Sequence, residues 1–143
     1  MKKLYVKMLS LLQSISALKY IDLDKGQIDY FELRPAVAFP AALVSIDFAN
    51  CEDETDTTQR VQAQILIRLA FDYSGETSGA TPATLRDQAL DLFELVDQIY
   101  AALQGYSDEE IDHVSRTAVR MENRQDQLRV AQIYFNAWLE QFA

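Results

Sequence analysis

Thr58–Tyr73 reads TQRVQAQILIRLAFDY. Val61, Ala63, Ile65, Ile67, Leu69, Phe71 and Tyr73 share one parity, and Gln62, Gln64, Arg68 and Asp72 share the other. Leu66 and Ala70 are the only apolar residues on the polar parity. A period of two held this long describes a strand with one face on a core and the other mostly wet. A helix would scatter the same apolar residues around its circumference. The stretch is therefore expected to be the central strand of an antiparallel sheet.

Upstream, Pro40 opens AALVSIDF, in which Ala42, Val44, Ile46 and Phe48 alternate with Ala41, Leu43, Ser45 and Asp47. This second strand is expected to run antiparallel to the first as one arm of a long hairpin. Five acids lie between Asp47 and Asp56, with no base before Arg60. That run reads as a solvated loop, Asn50–Thr57. Calcium is the metal to weigh against carboxylates, but the run lacks the sixth-position glycine and flanking helices of an EF-hand.

Further upstream, Lys2–Leu18 carries Leu4, Met8, Leu11, Leu12, Ile15 and Leu18 at spacings of three and four, the stripe of an amphipathic helix. Asp24, Lys25 and Gly26 predict a turn between short extended pieces. Ile28–Leu33 reads as a short strand, and Pro35 restricts Arg34 to extended geometry.

Downstream, Ser74–Thr81 is a loop of turn formers whose two glycines lack the G-K-[ST] of a phosphate cradle. A helix follows, capped at Thr81 with Pro82 first, or at Thr84 with Asp87 in a capping box. Its packing face is Leu85, Ala89, Leu92, Phe93, Val96, Ile99, Tyr100 and Leu103, and Gly105 stops it. Tyr106–Asp112 is an acidic connector in which Ser107 and Glu110 match the capping box of a one-turn helix. The last stretch alternates from Leu128 to Leu139 but also shows a helical stripe at Leu128, Ala131, Tyr134, Phe135, Trp138 and Phe142. Its β-branched and aromatic content favours a strand, paired as His113–Glu122 with Leu128–Leu139. The expected fold is α+β, a two-layer sandwich in one domain, 1–143. An antiparallel four- to five-stranded sheet carries two main helices on one face and a long projecting hairpin.

Composition narrows the function. The chain has 143 residues, is 49% hydrophobic and carries a net charge of -9, which disfavours a general phosphate-backbone binder. Its single cysteine, Cys51, rules out an internal disulfide and suits a reducing compartment. No segment approaches the roughly 20 apolar residues of a membrane span, so the chain reads as soluble and cytoplasmic. His113 is the lone histidine and has no sequence-adjacent nucleophile, and Cys51 sits among acids that raise a thiol pKa. The polar parity of the two strands lacks the basic aromatic platform of an RRM. No catalytic residue, cofactor or metal site is expected.

Two features point to assembly. Seven tyrosines, seven phenylalanines and a tryptophan are a rich aromatic supply, and Trp138 and Phe142 lie near the chain's end, although core packing accounts for them equally well. Arg116, Arg120, Arg124 and Arg129 concentrate bases in an otherwise acidic chain, and opposite patches on one small domain meet between copies in a ring.

The order of elements, with FPAALVSIDF leading into the Gln-rich strand, LDLFELVDQIYAALQG and RQDQLRVAQIYF, resembles the tail-terminator or tail-completion proteins of tailed bacteriophages and prophages, and the related minor head-to-tail joining proteins. The resemblance spans nearly the whole chain. It implies a non-catalytic α+β protein that forms a ring, commonly a hexamer, capping the tail tube, with tail-tube and head-completion proteins as partners. It implies localisation in the virion tail, or in the host cytoplasm before assembly, and no sequence-specific nucleic-acid or membrane binding. On that basis Gln62, Gln64, Leu66, Arg68, Arg116, Arg120, Arg129, Trp138 and Phe142 are candidate subunit-interface residues. Glu52, Asp53, Glu54 and Asp56 are candidates for the lumen or a partner loop, where they would repel DNA. Two rival readings are a stand-alone interaction module and a small hydrolase using Asp/Glu carboxylates.

Overall fold

The computed structural model describes residues 1–29, 37–72 and 77–143. The expected central strand becomes β3, Thr58–Phe71, and the parity read from its sequence is the one the core uses. Val61, Ala63, Ile65, Ile67 and Leu69 are fully buried beneath the helices. Asp72 follows the strand, and Tyr73 lies outside the described residues.

Before it, β1 (Tyr20–Leu23) pairs in parallel with β2 (Ala41–Thr55), and β2 pairs antiparallel with β3. After it come β4 (Ile111–Met121) and β5 (Arg129–Phe142), an antiparallel hairpin. The sheet order is β1-β2-β3-β5-β4. The sheet is thus mixed rather than wholly antiparallel, because β1 enters parallel to β2. The final strand is a strand, not a helix, and it lies inside the sheet between β3 and β4. That position buries Val130, Ala131, Ile133, Phe135 and Ala137 and explains the β-branched and aromatic enrichment.

The acidic run is a correction. It is not a loop: β2 continues through it to Thr55, and only Asp56 and Thr57 turn the chain. Pairing with β3 supplies the ladder hydrogen bonds, and the acids stay exposed, so no charge is desolvated. A register shift between Phe48 and Asn50 leaves Ala49 as the extra residue of a bulge. It exchanges the parity of β2, so that Cys51 rather than Asn50 faces Val61. The hairpin projects as three strands, since β5 follows β3 to Thr58, opposite Phe142.

The helices form one layer. α1 spans Lys2–Gln13 and stops short of the expected Leu18. There the chain tightens into bonds to the third residue back, from Ser14 N to Leu11 O (3.3 Å) and Ile15 N to Leu12 O (3.0 Å). The Ser14 hydroxyl also donates to Leu11 O at 2.6 Å. Ile15 and Leu18 nevertheless complete the buried stripe begun by Leu4, Met8 and Leu12. The second expected helix is two, α2 (Ala83–Ala89) and α3 (Asp91–Leu103), with Leu90 between them at φ -97°, ψ 3°. At the break, Arg129 Nη1 donates to the Ala89 carbonyl at 2.7 Å and Phe93 N turns to Leu90 O at 2.9 Å. A guanidinium from β5 takes the acceptor that a continuous helix would use. Pro82 occupies the N-cap position itself, and no side chain caps the helix, so neither capping scheme forms.

Gly105 ends this layer at φ +78°, as its position implied, and donates to the Val114 carbonyl at 2.8 Å. The one-turn helix expected at Ser107 is absent. Instead the Asp108 carboxylate accepts from Glu110 N and Ile111 N, each at 2.8 Å, and turns the chain into β4. Gly26 likewise sits at φ +80° in the expected turn, with its N–H on Asp24. Ile28 and Asp29 follow as turn rather than strand; the rest of Ile28–Leu33, Pro35 and residues 74–76 of the loop lie outside the described residues.

Candidate assembly surfaces

The face of the sheet away from the helices has two unlike halves. At one end Ile28, Ala41, Leu43, Ala70, Leu128 and Val130 make a second small core. Beside it Arg68, expected at a subunit interface, is only 9% exposed and anchors an ion-pair cluster. Its Nε and Nη2 take both oxygens of Glu122 (2.7 and 3.1 Å), while Nη1 reaches Asp24 (3.2 Å) and Nη2 reaches Asp29 (2.8 Å). Arg124 shares Glu122 at 2.9 Å, pairs with Asp126 and donates to the Ile28 carbonyl. Gln132, opposite Arg68 on β5, adds a bond to Glu122 at 3.0 Å.

The cluster sets its own electrostatics. Burial works against the charge on Arg68, but Glu122, Asp29 and Asp24 outweigh it and hold its pKa above the ordinary value. Burial also pushes the Glu122 carboxyl up, yet bonds from Arg68, Gln132 and Arg124 bring it down to about 2. Asp126 is lowered first by its bond from Arg124. These groups are satisfied among themselves, which removes both Arg68 and Arg124 from the free surface.

The other half of this face is open. Register places Leu66 against Tyr134, Gln64 against Asn136 and Gln62 against Trp138, so three of the expected interface residues and Trp138 do converge. All are half-buried. Arg60 lies over the Trp138 ring at 4.6 Å, and Phe142, 74% exposed, ends the strand. Around that end runs an open concavity of 740 Å³ whose lining includes Lys2, Lys3, Glu54, Arg60 and Trp138. Its charges are mixed, and no nucleophile and base are brought together there.

The remaining expected residues divide between the faces. Arg120 stacks on Tyr134 at 5.6 Å on the open face. Arg116 and Arg129 point to the helix side, over Tyr100 at 4.1 Å and Phe93 at 5.6 Å. Neither Arg116 nor Arg120 pairs with a carboxylate among the described residues. Phe93 and Tyr100, assigned to the packing face of the helix, are 45% and 38% exposed, and Leu95 fills the core instead. Glu52, Asp53 and Glu54 project from the far part of β2, and Asp56 sits in the turn. Among the described residues no group of three or more His, Cys, Asp or Glu side chains is placed to hold a metal ion. His113 is exposed in a bulge of β4 at φ +42°, and Cys51 is exposed on β2.

The sequence reading missed Asp24, Asp29 and Glu122 as partners of Arg68. The available signal was an arginine on the strand's polar parity set between Ile67 and Leu69, next to the most apolar part of the strand.

No protein-family model matches the chain, and no curated protein matches it. Among solved structures it is similar to a chain in the virion of a native gene transfer agent particle. The two share 14% identity with a TM-score of 0.55, over 95% of this chain and 91% of that one. At this identity the likeness shows the fold: the two-layer arrangement described above is also that of a virion-particle protein.

Proposed function

We propose that this chain is a structural, non-catalytic subunit of a phage, prophage or gene-transfer-agent-like particle. Within it, the chain acts as the tail-completion protein, forming a ring, hexameric as in the family it resembles, at the end of the tail tube and helping to join tail to head. The observation that carries the reading is the fold match, which covers nearly the full length of both chains and whose counterpart is part of a virion. The order of elements that prompted the resemblance is consistent with it. The partners are further copies of this chain, tail-tube protein and head-completion protein, and the place of action is the virion tail. The acidic turn of the β2–β3 hairpin, at Asp56, then stands at the working rim of the ring, toward the lumen or a tail protein, with Glu52, Asp53 and Glu54 leading up to it along β2.

Negative-stain electron microscopy of the purified protein, alone and mixed with tail tubes from a tail lacking its terminator, tests this. Closed rings, or rings seated on tube ends, are the expected result. Particles that remain single copies under both conditions would remove the tail-completion reading.

A further inference from the structure

Among the described residues, two long stretches of strand edge have no strand beside them, and they differ in charge. β1 covers β2 only from Ala41 to Val44, so Ser45–Thr55 has no strand on that side among the described residues. That edge carries Asp47, Glu52, Asp53 and Glu54 and no base. At the opposite border β4 is the last strand, bearing Arg116 and Arg120 on its two faces. Beside its helix-side flank stand exposed Phe93, Tyr100, Val119 and Met121, the last two 41% and 44% exposed. The backbone of Val114 and Arg116 is already bonded to Gly105, Tyr106 and the Gln104 side chain, so the edge left for a partner is Thr117–Met121. Aromatic, methionine and arginine side chains around such an edge have the composition of an interface centre.

We infer that a second copy of this chain docks here, its β2 edge (Ser45–Thr55) adding antiparallel to the β4 edge of the first. Direction permits it. β2 runs with β5 and against β4, so a copy carried round an axis along the strands brings β2 beside β4 in antiparallel sense. Charge selects it. Two β2 edges would oppose acid to acid and two β4 edges base to base, whereas the mixed pairing sets acids beside Arg116 and Arg120. A contact between two different edges is heterologous and repeats from copy to copy, closing when the rotation closes. The bulges in β4 at Asp112–Ser115 and Arg116–Ala118 discourage unselected strands and leave Ala118–Met121 regular for this one. Asp56, at the turn, stays free for the rim. The inference rests on the ring reading and names the surfaces that make the ring.

Charge exchange tests it. Variant one carries Arg116→Glu and Arg120→Glu; variant two carries Asp53→Lys and Glu54→Lys, at exposed positions. Circular dichroism checks that both fold, and light scattering follows assembly across concentration. Each variant alone should need on the order of tenfold more protein to assemble, or more, because attraction becomes repulsion. Mixing the two should restore assembly, since every junction then joins opposite charges, and added salt should weaken the wild-type contact. If the wild type forms rings that both variants also form unchanged, the ring stands and the edge contact is overturned. If the variants lose assembly but the mixture fails to recover it, the pairing of β2 with β4 is likewise overturned. A wild type that stays monomeric, with no complex in the mixture, removes the contact and the ring together.

Discussion

The two ends of the far face of β3 make an instructive pair. Ala70 and Arg68 at one end, and Leu66, Gln64 and Gln62 at the other, share one parity of one strand. Ala70 and Arg68 are buried, while Leu66, Gln64 and Gln62 are half-buried beside their sheet neighbours. What differs is the cover. Asp24, Asp29, Glu122 and Arg124, together with Ile28 and Leu128, close over the first end from turns remote in sequence. A face of a sheet is therefore not uniformly core or surface; its chemistry changes within a few residues according to which turns reach it. The charged residue ended up enclosed and the amides ended up open, the reverse of what polarity alone suggests.

The largest expected effect comes from removing the centre of the closed end. Arg68→Ala leaves Asp24, whose side chain is 13% exposed, without its guanidinium, and leaves Glu122, equally enclosed, with Arg124 alone. Breaking one partner out of a buried ion-pair cluster costs about 3–5 kcal/mol, and urea unfolding should read a loss of that size. Arg68 together with Glu122 gives a sharper form. In a double-mutant cycle of Arg68→Met and Glu122→Gln, the two losses should fail to add by about 1–3 kcal/mol. Additive losses would mean that the guanidinium matters through its packing and not through Glu122.

The same comparison has a pH signature of somewhat smaller size. The folded-state pKa of Glu122 lies at about 2, below its usual 4.5. A carboxylate lowered in this way contributes stability above the unfolded pKa, and loses it as pH falls from about 4.5 through about 2. The span corresponds to about 3 kcal/mol at most, on the scale of about 1.4 kcal/mol per unit. Urea midpoints of the wild type should fall over that window more steeply than those of Glu122→Gln. Parallel curves for the two proteins would detach the acid sensitivity from this cluster.

Much of this fold was legible because it follows from local rules. Alternation placed β3 and the start of β2, the stripe of Leu4, Met8 and Leu12 placed α1, and Gly26 and Gly105 punctuated where left-handed backbone was needed. The misreadings share a non-local origin. The acidic run looked like loop because a run of charges is usually solvated, and the hydrogen bonds that make it strand come from β3 across the hairpin. The helix from Leu85 looked continuous because nothing nearby foretells that Arg129, 40 positions away, takes the Ala89 carbonyl. Arg68 looked available for an interface because its partners lie 39 to 54 positions away, Asp24 in an expected turn and Asp29 and Glu122 in expected strands. For the assembly surfaces, Trp138 and Gln62 were legible as neighbours only once the final stretch was paired to β3, and the two open edges are properties of strand order, which periodicity does not encode.

At the open end, substitutions should barely register in stability, and Arg60 sets the upper limit. Its guanidinium covers the Trp138 ring from an exposed position, and it sits opposite Glu52 on one side and Glu140 on the other without a salt bridge to either. A cation over an aromatic face at such a site contributes about 0.5–1 kcal/mol. Arg60→Ala should therefore shift urea unfolding by no more than that, while uncovering the indole and changing Trp138 fluorescence in the folded state. Because this is the chain's single tryptophan, the emission reports on this one contact. A loss comparable to that of Arg68→Ala would mean that the open end is closed by something other than its sheet neighbours, and the contrast between the two ends of β3 would disappear.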